Sequence, residues 1–227
     1  ECVIRGKDIA SKIEHDPFLE ATKEGALEDK HYLAAVEALW EMKRWAYSIY
    51  GSWINHTTPR RFMELEFWTS RILFDESREI ALYTEHLIKG GAAHHKRDLV
   101  QKEYAQLPDF LGAVGRFTDW QEINSHFEPP VRFASLAGVR QIEILWKSLL
   151  GEAAPGFRGP LFAAQLPALR GHYQMAIIAV SRHFDTTTSM KKEIDWAFDQ
   201  GLSWCQAAFE EIGQRGLSGR LKIKPNA

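Results

Sequence analysis

Apolar residues recur along most of this chain at steps of three and four, the spacing that lines one face of an α-helix. The clearest stretch runs from about Glu28 to Trp53, with Leu33, Val36, Leu39, Trp40, Met42, Lys43, Ala46 and Tyr47 on its buried side. Thr58-Pro59 reads as an N-cap followed by proline at the first helical position, opening a helix through Phe62, Leu65, Trp68 and Thr69. A further helix is expected from near Asp75 to the double glycine Gly90-Gly91, a C-terminal stop. Another covers Ala93 to Gln106 and breaks before Pro108, and Thr118-Asp119-Trp120-Gln121 has the form of a capping box. Pro129-Pro130 precedes a helix from about Val131 to Leu150. The glycine- and proline-rich stretch Gly151 to Pro160 is expected to be a loop, and a lid is one use for it. Leu161 to His183 reads as helix with a kink at Pro167. Asp185 to Ser189 caps a last helix, whose Ile194, Phe198, Gly201, Leu202, Cys205, Ala208, Phe209 and Ile212 fall on one stripe. Strand signals are nearly absent. The pattern predicts a single all-α domain over residues 1–227, of seven or eight helices, with its core over about 10–213 and a tail over 214–227.

Composition narrows the function classes. The chain has 227 residues, 45% of them hydrophobic, enough for one sizeable core. The net charge of −2 implies no basic face, so nucleic acid is not an expected partner. The two cysteines, Cys2 and Cys205, offer neither a metal spacing nor a disulfide framework, which suits a reducing cytoplasm. No apolar run approaches the ~18 residues of a membrane span, so no membrane partner is expected. No signal peptide is visible, and a start at Glu1 leads us to expect a trimmed N-terminus.

Two segments carry a resemblance to a known group. One is His15-Asp16-Pro17-Phe18 with Gly25 and Leu27. The other is the C-terminal stretch His183-Phe184-Asp185-Thr186-Thr187, followed by Ile194-Asp195-Trp196-Ala197-Phe198 and Leu202-Ser203-Trp204. With the order of helices between them, the chain resembles the heme-oxygenase-like helical proteins. That group includes the TenA thiaminases, pyrroloquinoline-quinone synthase and the non-heme diiron oxidases of the same fold. The resemblance implies an all-α heme-oxygenase-like bundle with its chemistry in a cavity between helices. It also implies a homodimer acting on a small-molecule substrate.

Polar residues on otherwise apolar helices mark where such chemistry would sit. Glu79 and His86 are two turns apart on one face, and Glu85 precedes the Gly90-Gly91 break, beyond which lie His94 and His95. Glu143 lies in an apolar run, where an inward carboxylate needs a partner or a shifted pKa. His172 lies in Leu169-Arg170-Gly171-His172-Tyr173, and Glu37 on the long first helix. Carboxylates and imidazoles converging in a bundle core are the donors of an iron or manganese centre. The metal-ligand candidates are therefore Glu79, Glu85, His86, His94, His95, Glu143 and His172. Glu143 and His172 are also the catalytic candidates, and Glu37, Trp40, Arg140 and Tyr173 the substrate-binding ones.

The resemblance also shows departures. The diiron members carry His-x3-Asp-x2-His where this chain has Ala168, His172 and Met175, so only one of three positions could ligate. One metal ion, or none, is thus expected rather than a full pair, and no heme. The quinone synthase bears tyrosine and arginine where this chain reads Gly159 to Pro167, which has neither. The thiaminases need a cysteine on the helix before the Gly/Pro loop, and Val131 to Leu150 holds none. The expectation is an oxygen-using oxidase of a small organic molecule in biosynthetic or secondary metabolism, with iron or without a cofactor. The alternatives are a TenA-like hydrolase or transferase, and a non-catalytic small-molecule-binding member of the fold.

Overall fold

The computed structural model describes residues 9–55, 63–92, 128–183 and 188–222. Over these it is all-helical. We number the helices α1 (Pro17–Lys23), α2 (Asp29–Asn55), α3 (Met63–Lys89), α4 (Pro129–Ala153), α5 (Arg158–Ala163), α6 (Leu166–His183) and α7 (Thr188–Ser218). Residues 9–14 form a further helical stretch. The helix expected over Ala93 to Gln106 and the capping box at Thr118 lie outside the described residues.

The His15-Asp16-Pro17-Phe18 segment folds as a helix start. Asp16 Oδ1 accepts from the backbone N–H groups of Phe18 (2.9 Å) and Leu19 (3.1 Å), and Pro17 occupies the first turn. His15 is exposed. Phe18 is fully buried, stacked on Trp146 of α4, and set so close to Gly216 of α7 that a Cβ there would come within 2.5 Å of the ring. The motif therefore docks α1 onto the bundle.

Three expectations are corrected. The two helices read on either side of residue 70 are one continuous α3, since the stretch between Met63 and Lys89 holds no glycine or proline to break it. Its end is as expected: Gly91 adopts a φ of 75°, and the Ala92 N–H reaches back to the Leu87 carbonyl. Gly151 to Pro160 is not a free loop. Gly151 belongs to α4 and Gly159-Pro160 to α5, and the backbones touch closely enough that a Cβ on Gly159 would meet the Gly151 carbonyl at 2.5 Å. Pro167 does not kink a long helix but sits in the first turn of α6, where its missing N–H costs nothing.

Five long helices close a ring. α2 packs on α3 and α7, α7 on α4, α4 on α6, and α6 on α3. The tightest crossing is α4 on α7. A Cβ on Gly201 would lie 2.1 Å from the Ser135 carbonyl oxygen, and one on Gly138 2.4 Å from that of Phe198. Gly201→Ala should force these helices apart and cost about 1–3 kcal/mol of overpacking. Urea unfolding reads the loss, and unchanged stability would refute so close a crossing.

α3 and α4 are not an extensive backbone pair. They face one another across the ring, and the space between them is filled by side chains.

Candidate functional site

The buried face of α3 begins apolar at Leu65 and Ile72, turns acidic at Asp75, Glu76 and Glu79, and turns apolar again at Ile80 and Leu87. Opposite it, α4 carries Arg140, Glu143 and Lys147 at steps of three and four, so the three share one face. Lys43 enters from α2 and His172 from α6. All of these side chains are buried.

They form one network. Glu143 Oε2 accepts from Arg140 Nη1, and Glu143 Oε1 accepts from Lys43 Nζ and, at 2.7 Å, from Lys147 Nζ. Glu79 Oε1 accepts from Lys147 Nζ and from the Tyr83 hydroxyl at 2.6 Å, while its Oε2 lies 3.0 Å from Lys43 Nζ. Glu76 Oε1 accepts from Arg140 Nη2 and, at 3.3 Å, from Lys43 Nζ. Three cations thus face three carboxylates with no charge left over, the condition under which ions tolerate a dry interior.

The field inside this network is strong. Burial pushes the Glu143 carboxyl up, but Lys147, Lys43 and Arg140 outweigh it and hold it well below the usual range. Glu79 is lowered by Lys147 and Lys43 against the same burial. Burial lowers the Lys43 and Lys147 ammonium pKa values, and the facing carboxylates outweigh this and raise both.

His172 stands at the edge. Its Nε2 is 3.1 Å from Asp75 Oδ2, which also accepts from Arg71 Nε at 3.0 Å. Burial first, then the positive charge of Arg140, lowers its pKa to about 3. The ring is therefore neutral at pH 7. With the Nε2 proton donated to Asp75, its lone pair is on Nδ1, which is buried and has no hydrogen-bond partner among the described residues. Arg140 Nε is a second buried polar atom without a hydrogen-bond partner among the described residues.

Of the residues expected from sequence, the fold brings together Glu79, Arg140, Glu143 and His172. Tyr173, next to His172, is partly buried against the core. The others lie elsewhere. Glu85 is exposed on α3. His86 shares a face with Glu79, yet seven residues along a helix is ~10 Å of rise. The ring there is half-buried against Phe157, outside the network. Glu37 accepts from the backbone N–H of Lys222 at 2.9 Å, and Trp40 donates to Thr84 Oγ1 at 3.0 Å, so both serve as struts between elements. His94 and His95 lie outside the described residues. Sequence reasoning missed Asp75, Glu76, Lys43 and Lys147 as site residues. The signal was present: Arg140, Glu143 and Lys147 are spaced three and four apart, and Lys43 falls on the apolar stripe of α2.

The resemblance implies an iron centre, and the described donor set does not fit one. Every carboxylate that converges here already faces an ammonium or guanidinium group, and His172 is engaged by Asp75. A hard divalent ion requires those oxygens uncompensated. Among the described residues, no group of three or more His, Cys, Asp or Glu is placed to hold a metal ion, and no helix is long and apolar enough to cross a membrane. Comparison with protein-family models, curated proteins and solved structures finds no match to this chain.

Proposed function

We propose that this chain is a heme-oxygenase-like small-molecule oxidase that uses oxygen without a metal, with His172 as its general base. The observation that carries this reading is the Asp75–His172 pair. A buried neutral imidazole is oriented through Nε2 by a carboxylate, and its Nδ1 lone pair meets no donor among the described residues. The pair supports the following chemistry. Nδ1 takes a proton from an acidic C–H or O–H of the substrate, and the anion formed is stabilised by the positive charge of Arg140. The anion passes two electrons to O2 and releases its second hydrogen as a proton; that proton and the one held on Nδ1 complete hydrogen peroxide, so one substrate loses two hydrogens for each O2 reduced. Such a reaction needs no cofactor only when the anion is electron-rich, which directs attention to enols and hydroquinones.

The test is oxygen uptake with a panel of such compounds, with peroxide measured in parallel. His172→Gln should lower the rate at least ~100-fold, as loss of a positioned base does. Turnover that survives this substitution, or that proceeds without oxygen, would overturn the reading. Oxygen-independent cleavage would instead favour the hydrolase alternative. The one cysteine among the described residues is a poor nucleophile for it, because burial holds the Cys205 thiol well above its usual pKa. A second reading is a binding or structural protein. The exact balance of three cations and three carboxylates favours it, and saturable binding with no turnover would support it.

A further inference from the structure

The two lysines and the glutamates are arranged as a cation centre. Glu143 Oε1 is shared between Lys43 Nζ and Lys147 Nζ. Glu79 spans the same pair, one oxygen to each ammonium. Glu76 adds a third carboxylate on Lys43, with Oε2 at 3.1 Å. Two carboxylates therefore bridge two positive centres, and a third caps one of them. Glutamates from facing helices of a bundle surround metal ions in this way. Here the positive centres are tethered to the chain.

Charge accounting sharpens the comparison. With Lys43, Lys147 and Arg140 against Glu76, Glu79 and Glu143, the network sums to zero. Without the two ammonium groups, Arg140 stands alone against three carboxylates, a deficit of two charges. That is the charge of one divalent ion. We propose that Lys43 and Lys147 together stand in for a divalent cation, so that the native chain takes up no metal at these carboxylates and removal of both lysines opens a site for one hard divalent ion. All-oxygen donors suit Mn2+, and truncation of two four-carbon stems vacates the space it would occupy. The inference rests on the bridging carboxylates and holds whether or not His172 acts as a base.

Mn2+ alone is the probe, followed by its electron paramagnetic resonance signal and by thermal unfolding. The expected results are no stoichiometric Mn2+ on the native chain and about one per chain on the Lys43→Ala/Lys147→Ala variant, matching the charge deficit. Binding should raise the melting temperature of that variant, since a ligand of the folded state stabilises it. Adding Glu143→Gln should abolish the uptake. Native protein that binds Mn2+ and loses it on Glu143→Gln would overturn the proposal. So would a double variant that is helical by circular dichroism and binds none. A double variant that folds neither with nor without Mn2+ would overturn it as well, because an ion that takes the place of both ammonium groups restores the charge balance on which the fold rests.

Discussion

Glu143→Ala should destabilise the protein by about 3–5 kcal/mol, the range seen when one partner of a buried ion pair is removed. Three groups lean on this one carboxylate: Arg140, Lys43 and Lys147. With it gone, three buried cations face two carboxylates, and the surplus positive charge has no route to water. For a chain of this size, each kcal/mol moves the melting temperature by about 2–4 °C, so a fall of roughly ten degrees is expected. Urea midpoints measure the same loss at constant temperature. A cavity of one side chain would also weaken the core, and a second variant separates the two causes. In Glu143→Ala/Lys147→Met the surplus cation is removed along with the carboxylate, while the long stem that fills space remains. Much of the loss should return, giving a large coupling between the two positions. A single-variant loss under ~1 kcal/mol, or simple additivity of the pair, would show that the network is hydrated and its charges independent.

The fold was largely legible, and the reasons are local. α2 was read from about Glu28 to Trp53 and runs Asp29–Asn55. α4 was read from about Val131 to Leu150 and runs Pro129–Ala153. Both have a long apolar stripe, and α4 has a proline start, signals that do not depend on what the helix packs against. The errors were of punctuation. Asp75 has the look of a beginning, but no breaker lies between Met63 and Lys89, and a helix continues unless something stops it; the start expected at Thr58-Pro59 lies outside the described residues. Pro167 was read as a kink because the short interruption at residues 164–165 has no glycine to announce it.

The site was legible only by halves. Glu143 stands out as a carboxylate in an apolar run, and His172 as a polar residue on an otherwise apolar stretch. Their partners did not stand out, because a lysine on a helix reads as a solvated charge. The spacing of Arg140, Glu143 and Lys147 settles which face each occupies. It does not say that Asp75, Glu76 and Glu79 of a helix more than sixty residues away point back at them. Charge balance across α3 and α4 is a property of the assembled bundle. The same limit explains Glu37 and Glu79. Both are buried acids on long helices, yet one holds the segment at Lys222 and the other enters the network.

Acid should act on this protein through two buried groups with opposite signs. His172 has its pKa lowered to about 3 by burial and by Arg140, against an ordinary 6.5. The folded chain therefore binds fewer protons there than the unfolded chain between these values. Its contribution is fully present above pH 6.5 and is lost as pH falls, at up to about 1.4 kcal/mol per pH unit. Glu41 is raised from 4.5 to about 7, because burial outweighs the Arg215 guanidinium that donates to its Oε2 at 2.5 Å. The folded chain binds more protons there, so this contribution is present below pH 4.5 and is lost as pH rises through 7. Between pH 4.5 and 6.5 the two slopes oppose, and the native protein should show a nearly flat stability. Below pH 4.5 the histidine acts without that opposition, and protonation of the lowered carboxylates Glu79 and Glu143 adds in the same direction. Removing either group exposes the other. His172→Gln should lose stability as pH rises from 4.5 to 7, and Glu41→Gln should lose it as pH falls from 6.5. Groups common to all three proteins, such as the raised Asp16 and the lowered His86, cancel in the comparison. Urea midpoints for the three proteins across this range give the answer. Parallel curves would mean that neither His172 nor Glu41 is held as far from water as the fold places it, and a neutral His172 could no longer be assumed as the base.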